Sequence, residues 1–308
     1  MHQLVIARYS ERLDWLAEVP PEFEVHIYNK GQPITAAAVL ARAASITDRP
    51  NEGRESETYL THVAGLGAGA GAGGASGDDP FVVFAQGDPF EHSPDFLELL
   101  RAADAWDDVQ PLSWRWKIKR DIPPARVLAR ETGGFVHGLR VRPELFSLQS
   151  WTPLGFHDVG TFWLQETYRQ VHALPDGANI AAHFLAMCGL AEIAAQADAH
   201  LLGRFAYGAV FAARRSCLGK VPAEALADLR RAALGHEVYG YVLERLWLHL
   251  FGMAFVLPAL LPQTAPQSGA GAYPDGPSFV APDTTSSGRR RLNKVVRGVG
   301  RLVASIRS

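Results

Sequence analysis

The sequence has little of what would build a cross-linked or metal-stapled module. Two cysteines among 308 residues exclude a disulfide framework and a Cys-rich zinc module. A formal net charge of −2 excludes a globally basic protein that binds nucleic acid. Hydrophobic residues make up 47% of the chain and charged residues 20%, so a wholly disordered chain is excluded as well.

Long hydrophobic runs are also missing. The most apolar stretch, residues 246–261, is interrupted by His249, Gly252 and Pro258, whereas a membrane-spanning helix needs about 20 predominantly apolar residues. The first residues lack the basic and apolar regions of a secretory signal peptide. These features, together with the low cysteine content, predict a cytoplasmic protein.

Short apolar runs separated by helical patterns dominate the rest of the sequence. The apolar runs at 3–7 and 81–85 are typical of buried strands, and the alternation of apolar and polar residues at 23–28 predicts a third strand. Strands that alternate with helices predict a single α/β domain over residues 1–256, with a mainly parallel central sheet flanked by helices. The other expected elements are helices at 35–45, 55–64, 161–172, 179–197, 222–234 and 238–251, and a strand at 207–213.

Two segments have the composition of loops. Residues 65–77 are almost entirely glycine and alanine, and they contain a G-x-G-x-x-G pattern. The expected strand comes after this pattern and not before it. The order required for a dinucleotide fold is the reverse, so we interpret this segment as a flexible loop insertion. Residues 257–288 are rich in proline, glycine and serine, which indicates a flexible linker.

Polar side chains follow the strands of the expected sheet. Arg8, Lys30 and the segment after Gln86 each come directly after an apolar run. In open α/β sheets, ligands bind beyond the carboxyl ends of the strands. Arg8, Lys30 and Arg54 have the charge to hold a phosphate-bearing ligand. The oxygen and nitrogen donors after the third strand predict a divalent metal site, either Mn or Mg, whose ligands would be Asp88 and His92.

Several segments resemble a known family. In order they are LVIARYSERLDWL at 4–16, VHIYNKG at 25–31, PNEGRESETYLTHV at 50–63, FVVFAQGDPFEH at 81–92, YGAVFAARRS at 207–216 and YGYVLERLWLHLFG at 239–252. As a set they are similar to the bacterial and fungal domain-of-unknown-function family 3431. That family has no established activity, and its layout looks like the GT-A class of nucleotide-sugar glycosyltransferases.

The resemblance implies a single GT-A-like domain and roles for particular residues. The opening strand and its turn would face the nucleotide, and Asp88 would stand in the metal-binding Asp-x-Asp motif, whose first position here is Gln86. The acceptor side would include the terminal E-R-x-W helix with Glu244. Catalytic roles fall to Asp88, Glu91 and Glu244. Substrate-binding roles fall to Arg8, Glu11, Asn29, Lys30, Asn51, Arg54, Glu55, Gln86 and Gly87.

These assignments predict transfer of a sugar from a nucleotide-sugar donor to a saccharide or lipid-linked acceptor at the cytoplasmic membrane face. The developing charge on the diphosphate would be neutralised by a metal or by Arg and Lys. Two alternatives stay open. One is a non-catalytic relative that binds a glycan or a protein, and the other is a metal-dependent hydrolase that uses the same acidic turn.

The chain ends in a basic segment, residues 289–308, which has seven basic residues and no acidic ones. Its apolar residues recur at helical spacing on one face, and its basic residues lie largely on the other. A basic amphipathic helix after a linker predicts contact with an anionic membrane surface, peripheral at the inner face. Docking on the acidic body and binding to nucleic acid are the rival interpretations, and nucleic acid is the weaker of the two.

Overall fold

The computed structural model describes residues 1–68, 79–113, 143–153, 158 and 160–256. All of the described residues belong to one compact unit. The expected linker at 257–288 and the expected amphipathic helix at 289–308 lie outside the described residues, as does most of the glycine–alanine segment. Contact of the expected amphipathic helix at 289–308 with an anionic membrane therefore stays a prediction.

A six-stranded sheet forms the centre of the described chain. Its strand order is β3-β2-β1-β4-β8-β5, the first four strands are parallel, and β8 is antiparallel to both of its neighbours. A separate antiparallel pair is formed by β6 and β7. The strands are β1 (His2–Arg8), β2 (Phe23–Asn29), β3 (Ala43–Asp48), β4 (Phe81–Gln86), β5 (Val109–Pro111), β6 (Glu144–Ser147), β7 (Leu202–Phe205) and β8 (Phe211–Arg214).

Helices cover both faces of the sheet. The α-helices are α1 (Ala37–Arg42), α2 (Arg54–Ala68), α3 (Phe96–Leu100), α4 (Gly160–His172), α5 (Ile180–Met187), α6 (Ala191–Asp198), α7 (Arg215–Leu218), α8 (Ala223–Gly235) and α9 (Val238–Leu250). Short 3-10 turns lie at Asp14–Glu18, Ala103–Ala105 and Tyr207–Ala209. The fold is therefore α/β, as expected, and it is consistent with a single GT-A-like domain.

The side chains of each central strand alternate between two cores because successive residues of a strand point to opposite faces. On β1, Leu4 and Ile6 join the core beneath α1 and α3, whereas Val5 joins the core beneath α2, α8 and α9. Trp247 of α9 is fully buried in the second core, where its ring lies 5.7 Å from the ring of Tyr59. Both faces of the sheet are thus covered, which is the usual arrangement of a parallel sheet.

The register of the sheet brings three strand ends together. Arg8 at the end of β1 lies opposite Asn29 at the end of β2, and Ala7 lies opposite Gln86 at the end of β4. The loops that follow these three strands therefore begin side by side at one edge of the sheet.

Several sequence-based elements differ from the structure. The expected helix at 35–45 is wrong beyond residue 42, because residues 43–48 instead pair with β2 as an edge strand. The expected helix at 179–197 is two helices, which are separated at Gly189 by a left-handed backbone with φ of 74°. The expected strand at 207–213 begins as a 3-10 turn, and α2 continues to Ala68, four residues into the segment interpreted as a loop.

None of the helices in the described ranges is both long enough and apolar enough to cross a membrane.

Candidate functional site

A cavity of about 160 Å³ lies at the edge of the sheet where β1, β2 and β4 end. Seven of the nine predicted substrate-binding residues line it, and the other two, Asn29 and Gly87, contact lining residues. The structure thus brings together residues from four separate segments of the sequence. The complete lining is Ala7, Arg8, Tyr9, Glu11, Lys30, Asn51, Arg54, Glu55 and Gln86.

Arg8 is held in place by the loop after β2. Its Nη1 donates to Asn29 Oδ1 at 2.5 Å and to the carbonyl of Gln32 at 2.7 Å, and its Nε donates to the carbonyl of Glu11. Asn29 is buried, and its Nδ2 donates to Asp48 Oδ1 at 2.8 Å. Asn29 therefore positions the guanidinium from below, and its contacts are those of a supporting residue rather than of a group that lines the cavity.

The turn after β1 is packed tightly between its neighbours. Glu11 Oε2 accepts hydrogen bonds from the backbone N–H groups of Tyr9 (2.7 Å) and Ser10 (3.1 Å). A Cβ atom at Gly31 would lie 1.8 Å from the carbonyl oxygen of Tyr9, and one at Gly87 would lie 2.7 Å from Glu11 Oε2. Glycine is required at these two positions because the backbone and the turn approach closely, and Glu11 fixes the shape of the cavity wall.

Lys30 has a buried side chain whose ammonium group is fully occupied. Its Nζ donates to the carbonyls of Glu52 (2.6 Å) and Arg54, and it lies 3.2 Å from Glu57 Oε2. Burial lowers the pKa of Lys30, and the charge of Glu57 opposes that effect. The expected phosphate contact of Lys30 would compete with these contacts, and it stays a prediction. The structure gives Lys30 a different task, which is to tie the turn at 52–54 to the sheet.

Glu57 is the centre of a buried ion cluster formed by Lys30, Arg49, Glu57 and Arg230. Glu57 Oε1 accepts from Arg49 Nη2, from Arg230 Nη2 at 3.1 Å and from Thr61 Oγ1 at 2.8 Å. Burial alone would raise the pKa of Glu57, but the hydrogen bonds from Arg49 and Thr61 and the charge of Lys30 lower it to about 2. Glu57 is consequently ionised at neutral pH and joins β2, α2 and α8.

Arg54 starts α2 in a strained conformation and points its guanidinium along the cavity. Its φ of 52° is uncommon for a residue with a side chain, and such strain is concentrated at functional sites. The guanidinium lies 4.3 Å above the ring of Tyr241, and its Nε lies 3.5 Å from Glu55 Oε2. Burial opposes its charge, but the carboxylates of Glu55 and Glu244 and the contact with Tyr241 outweigh burial and raise the pKa of Arg54.

Glu244 reaches the same edge of the sheet from α9. Its Oε1 accepts from the backbone N–H of Gly208 at 2.9 Å, while the carbonyl of Gly208 accepts from Gln86 Nε2 at 3.1 Å. Burial raises the pKa of Glu244, and the hydrogen bond from Gly208 opposes this. Gly208 therefore connects a residue that lines the cavity to the predicted catalytic carboxylate. Its raised pKa makes Glu244 a stronger proton acceptor than an ordinary exposed carboxylate.

The acidic turn after β4 borders this arrangement. Asp88 is exposed, and its Oδ1 accepts from the N–H of Phe90 at 3.2 Å. Glu91 is exposed on the same turn, and the ring of His92 packs edge-on against that of Tyr207, 4.8 Å away. A Cβ at Gly208, whose φ is 71°, would lie 2.2 Å from His92. His92 is thus a packing partner of the 207–209 turn.

The surroundings of Asp88 and His92 decide whether these two predicted ligands could hold a metal. Within the ranges that the structure describes, no group of three or more His, Cys, Asp and Glu side chains is arranged to hold an ion. Asp88 shares its Oδ1 with a backbone N–H, and His92 faces an aromatic ring. These residues alone do not form a ligand set. Dependence on Mn or Mg stays a prediction.

Three contributions were not anticipated from the sequence. Gly208 supplies the backbone bridge between Gln86 and Glu244, Tyr241 supplies the ring beneath Arg54, and Glu57 centres the ion cluster. Tyr241 and Glu244 lie three residues apart on α9, so they share a helix face. That spacing was visible in the sequence and would have linked them once Glu244 was considered. The role of Glu57 depends on contacts between distant segments, and the sequence carried no signal for it.

No protein-family model matches the chain, and no curated protein matches it. Its resemblance to family 3431 is therefore carried by the six sequence segments quoted above and stays a prediction. The assignment of a function depends on the geometry of the cavity and its surroundings.

Proposed function

We propose that this chain is a glycosyltransferase that binds a nucleotide-sugar donor in the cavity at the carboxyl ends of β1, β2 and β4. The observation that supports the proposal is the convergence of Arg8, Arg54 and Gln86 on that cavity, with Glu244 close by. Nucleotides bind at this edge of open α/β sheets in many unrelated proteins. The chemistry of these groups, rather than the fold, supports the proposed activity.

The charges of the cavity suit a diphosphate. Arg54 presents a guanidinium whose pKa is raised, so it is cationic at every physiological pH. Arg8 is oriented by Asn29 and Gln32, which removes part of the entropic cost of ordering it on a ligand. Two fixed guanidinium groups can neutralise the charge that develops on a departing diphosphate.

The reaction then needs one proton acceptor. The acceptor hydroxyl oxygen forms a bond to the anomeric carbon of the donor sugar while the bond from that carbon to the diphosphate oxygen breaks. The electron pair of the broken bond leaves with the nucleoside diphosphate, and the hydroxyl proton passes to the carboxylate of Glu244. A carboxylate whose pKa is raised by burial is a better base for this step than an ordinary exposed one.

The first test is a thermal-shift panel of UDP-, GDP-, CMP- and dTDP-sugars, with and without Mn²⁺. A ligand at about 100 times its Kd stabilises the folded chain by about 2.7 kcal/mol, which is readily measured. We expect a shift with one nucleotide class and its loss in Arg54→Ala. Arg231→Ala is the matched control, because Arg231 carries the same charge on α8 and its side chain is 76% exposed. No shift with any donor, on folded protein, would refute the proposal.

The second test addresses Glu244 in the same preparation. Glu244→Gln keeps an oxygen that can accept from Gly208 but cannot take up the proton. We expect donor binding to persist, while transfer from the donor that binds falls by about 10²–10⁴-fold. Equal transfer rates in both proteins would show that Glu244 is not the base and would leave Asp88 and Glu91 as the remaining candidates.

A further inference from the structure

A row of three contacting side chains, called the ridge, begins at the cavity and continues on the side of α9. It consists of Arg54, which lines the cavity, followed by the aromatic residues Tyr241 and Trp163. The Arg54 guanidinium lies 4.3 Å from the centre of the Tyr241 ring, and the ring of Trp163 of α4 lies 5.5 Å from that of Tyr241 at an interplanar angle of 76°. The ridge therefore joins the cavity to a pair of rings set edge to face.

Trp163 is unusual among the described tryptophans because it is the one with the largest exposed fraction. Its exposed fraction is 36%, whereas Trp151 and Trp247 are fully buried and Trp106 is 5% exposed. Tyr241 is half-buried beside it. An exposed indole that packs against a second ring next to a cavity offers apolar area that the fold itself does not bury, and ligands use surfaces of this kind.

Charged groups surround the ridge at its inner end. Arg54 and Glu55 lie at the cavity wall, and Glu244 is three residues after Tyr241 on the same face of α9. Aromatic rings flanked by carboxylates and a guanidinium match a sugar ring, which has C–H faces for the aromatic groups and hydroxyl groups for the charges. A hydrocarbon chain would strip water from the charged groups without replacing their hydrogen bonds, which is unfavourable.

We infer that Tyr241 and Trp163 form a subsite for the sugar ring of a saccharide acceptor, adjacent to the donor cavity. This inference depends on the proposed function, because it assigns the acceptor of that same reaction. Glu244, which the proposed transfer requires as a proton acceptor, lies three residues after Tyr241 on the same helix face. The acceptor in this inference is thus a saccharide.

The test measures saccharide binding and nucleotide binding separately. The full chain is titrated with maltotriose, cellotriose and chitotriose, and binding is followed by saturation-transfer NMR. We expect magnetic saturation to be transferred from the protein to at least one of the three saccharides, most strongly to its ring protons. Trp163→Ala should weaken that binding by about fivefold to tenfold, which is typical of the loss of one aromatic contact. Trp163→Phe retains a ring and should restore most of the affinity.

Phe162→Ala is the matched control. Phe162 precedes Trp163 on α4 and is 74% exposed, so its removal also deletes an exposed ring from this helix. Saccharide binding should be unchanged in it. The subsite is refuted if none of the three saccharides binds, if Trp163→Ala binds as tightly as the parent, or if Phe162→Ala loses as much affinity.

The two proposals fail in distinguishable ways. Trp163 lies outside the donor cavity, so Trp163→Ala should give the same nucleotide-induced thermal shift as the parent protein. A normal nucleotide shift with no saccharide binding would overturn the acceptor subsite and leave the donor site standing. Saccharide binding that depends on Trp163, without any nucleotide shift, would support the subsite as a glycan-binding surface and overturn the transferase.

Discussion

Replacing Glu57 with glutamine removes one negative charge from the buried ion cluster and leaves the shape of the side chain almost unchanged. Lys30, whose side chain is 4% exposed, then keeps its ammonium group without the carboxylate that lies 3.2 Å away in the parent. Breaking a buried ion pair from one side typically costs about 3–5 kcal/mol. Lys30 also holds the carbonyls of Glu52 and Arg54. The same substitution should therefore loosen the turn that carries Arg54 into the cavity.

The pKa of Glu57 gives an independent measure of how much its carboxylate contributes to the free energy of unfolding. It is lowered from 4.5 to about 2 in the folded chain. The ionised carboxylate therefore stabilises the fold above about pH 4.5, and this contribution disappears as the pH falls toward about 2. The difference corresponds to about 3 kcal/mol at neutral pH. About 2 kcal/mol of it should already be lost at about pH 3.

Urea unfolding followed by tryptophan fluorescence measures both quantities. We expect Glu57→Gln to lower the free energy of unfolding by about 3–5 kcal/mol near pH 7, and the gap to the parent to narrow by about 2 kcal/mol near pH 3. Asp228→Asn is the control. It breaks the exposed Asp228–Arg231 pair of α8 and should change stability by less than about 1 kcal/mol. A gap that is below about 1 kcal/mol at pH 7, or that is the same at both pH values, would refute the reasoning.

Two other predictions concern packing and acid sensitivity. Gly31→Ala should lower the free energy of unfolding in urea by about 3 kcal/mol or more, because its Cβ would lie 1.8 Å from the Tyr9 carbonyl oxygen. Gly65→Ala in α2 is the control: its Cβ would meet nothing within 4 Å, so the substitution should be neutral or stabilising. Equal effects of the two substitutions would contradict the packing argument. Burial lowers the pKa of His249 from 6.5 to about 3, so neutral His249 stabilises the fold above about pH 6.5 and that contribution is lost as the pH falls. His249→Gln can still accept from the N–H of Arg204, and its stability should change less than that of the parent between about pH 7 and pH 5; parallel curves would argue against this role.

The parallel part of the fold was predictable because β1 and β4 are continuous apolar runs, which a sheet covered on both faces can bury, and because β2 alternates apolar and polar residues as strands do. Residues 43–48 were not, because alanine favours a helix locally and the pairing with β2 decides the outcome. Gly189 was a visible helix breaker, yet the regular pattern around it gave no reason to place the end of the helix there. Local propensity thus failed where contacts between distant segments control the backbone.

The site was predictable to a similar degree. Arg8, Lys30 and Gln86 were placed together by one rule, that parallel strands end at a common edge. What each side chain does there was not visible. Lys30 forms an ion pair with Glu57 and donates hydrogen bonds to two backbone carbonyls, and Asn29 accepts a hydrogen bond from Arg8. Such roles depend on which hydrogen-bond partner is nearest, and partners separated by more than 20 residues in the sequence leave no local pattern.

The reversed direction of β8 has a consequence for how this chain can diversify. Pro111 at the end of β5 lies beside Phe211 at the start of β8, so the chain between them leaves and rejoins the sheet at neighbouring positions on the edge that carries the cavity. Trp163 and α4 to α6 belong to that excursion. Its ends are held by the sheet whatever its length or content. Trp163, one of the two rings of the proposed acceptor subsite, is thus encoded in a stretch that recombination can exchange, while the residues of the proposed donor cavity and Tyr241 are kept.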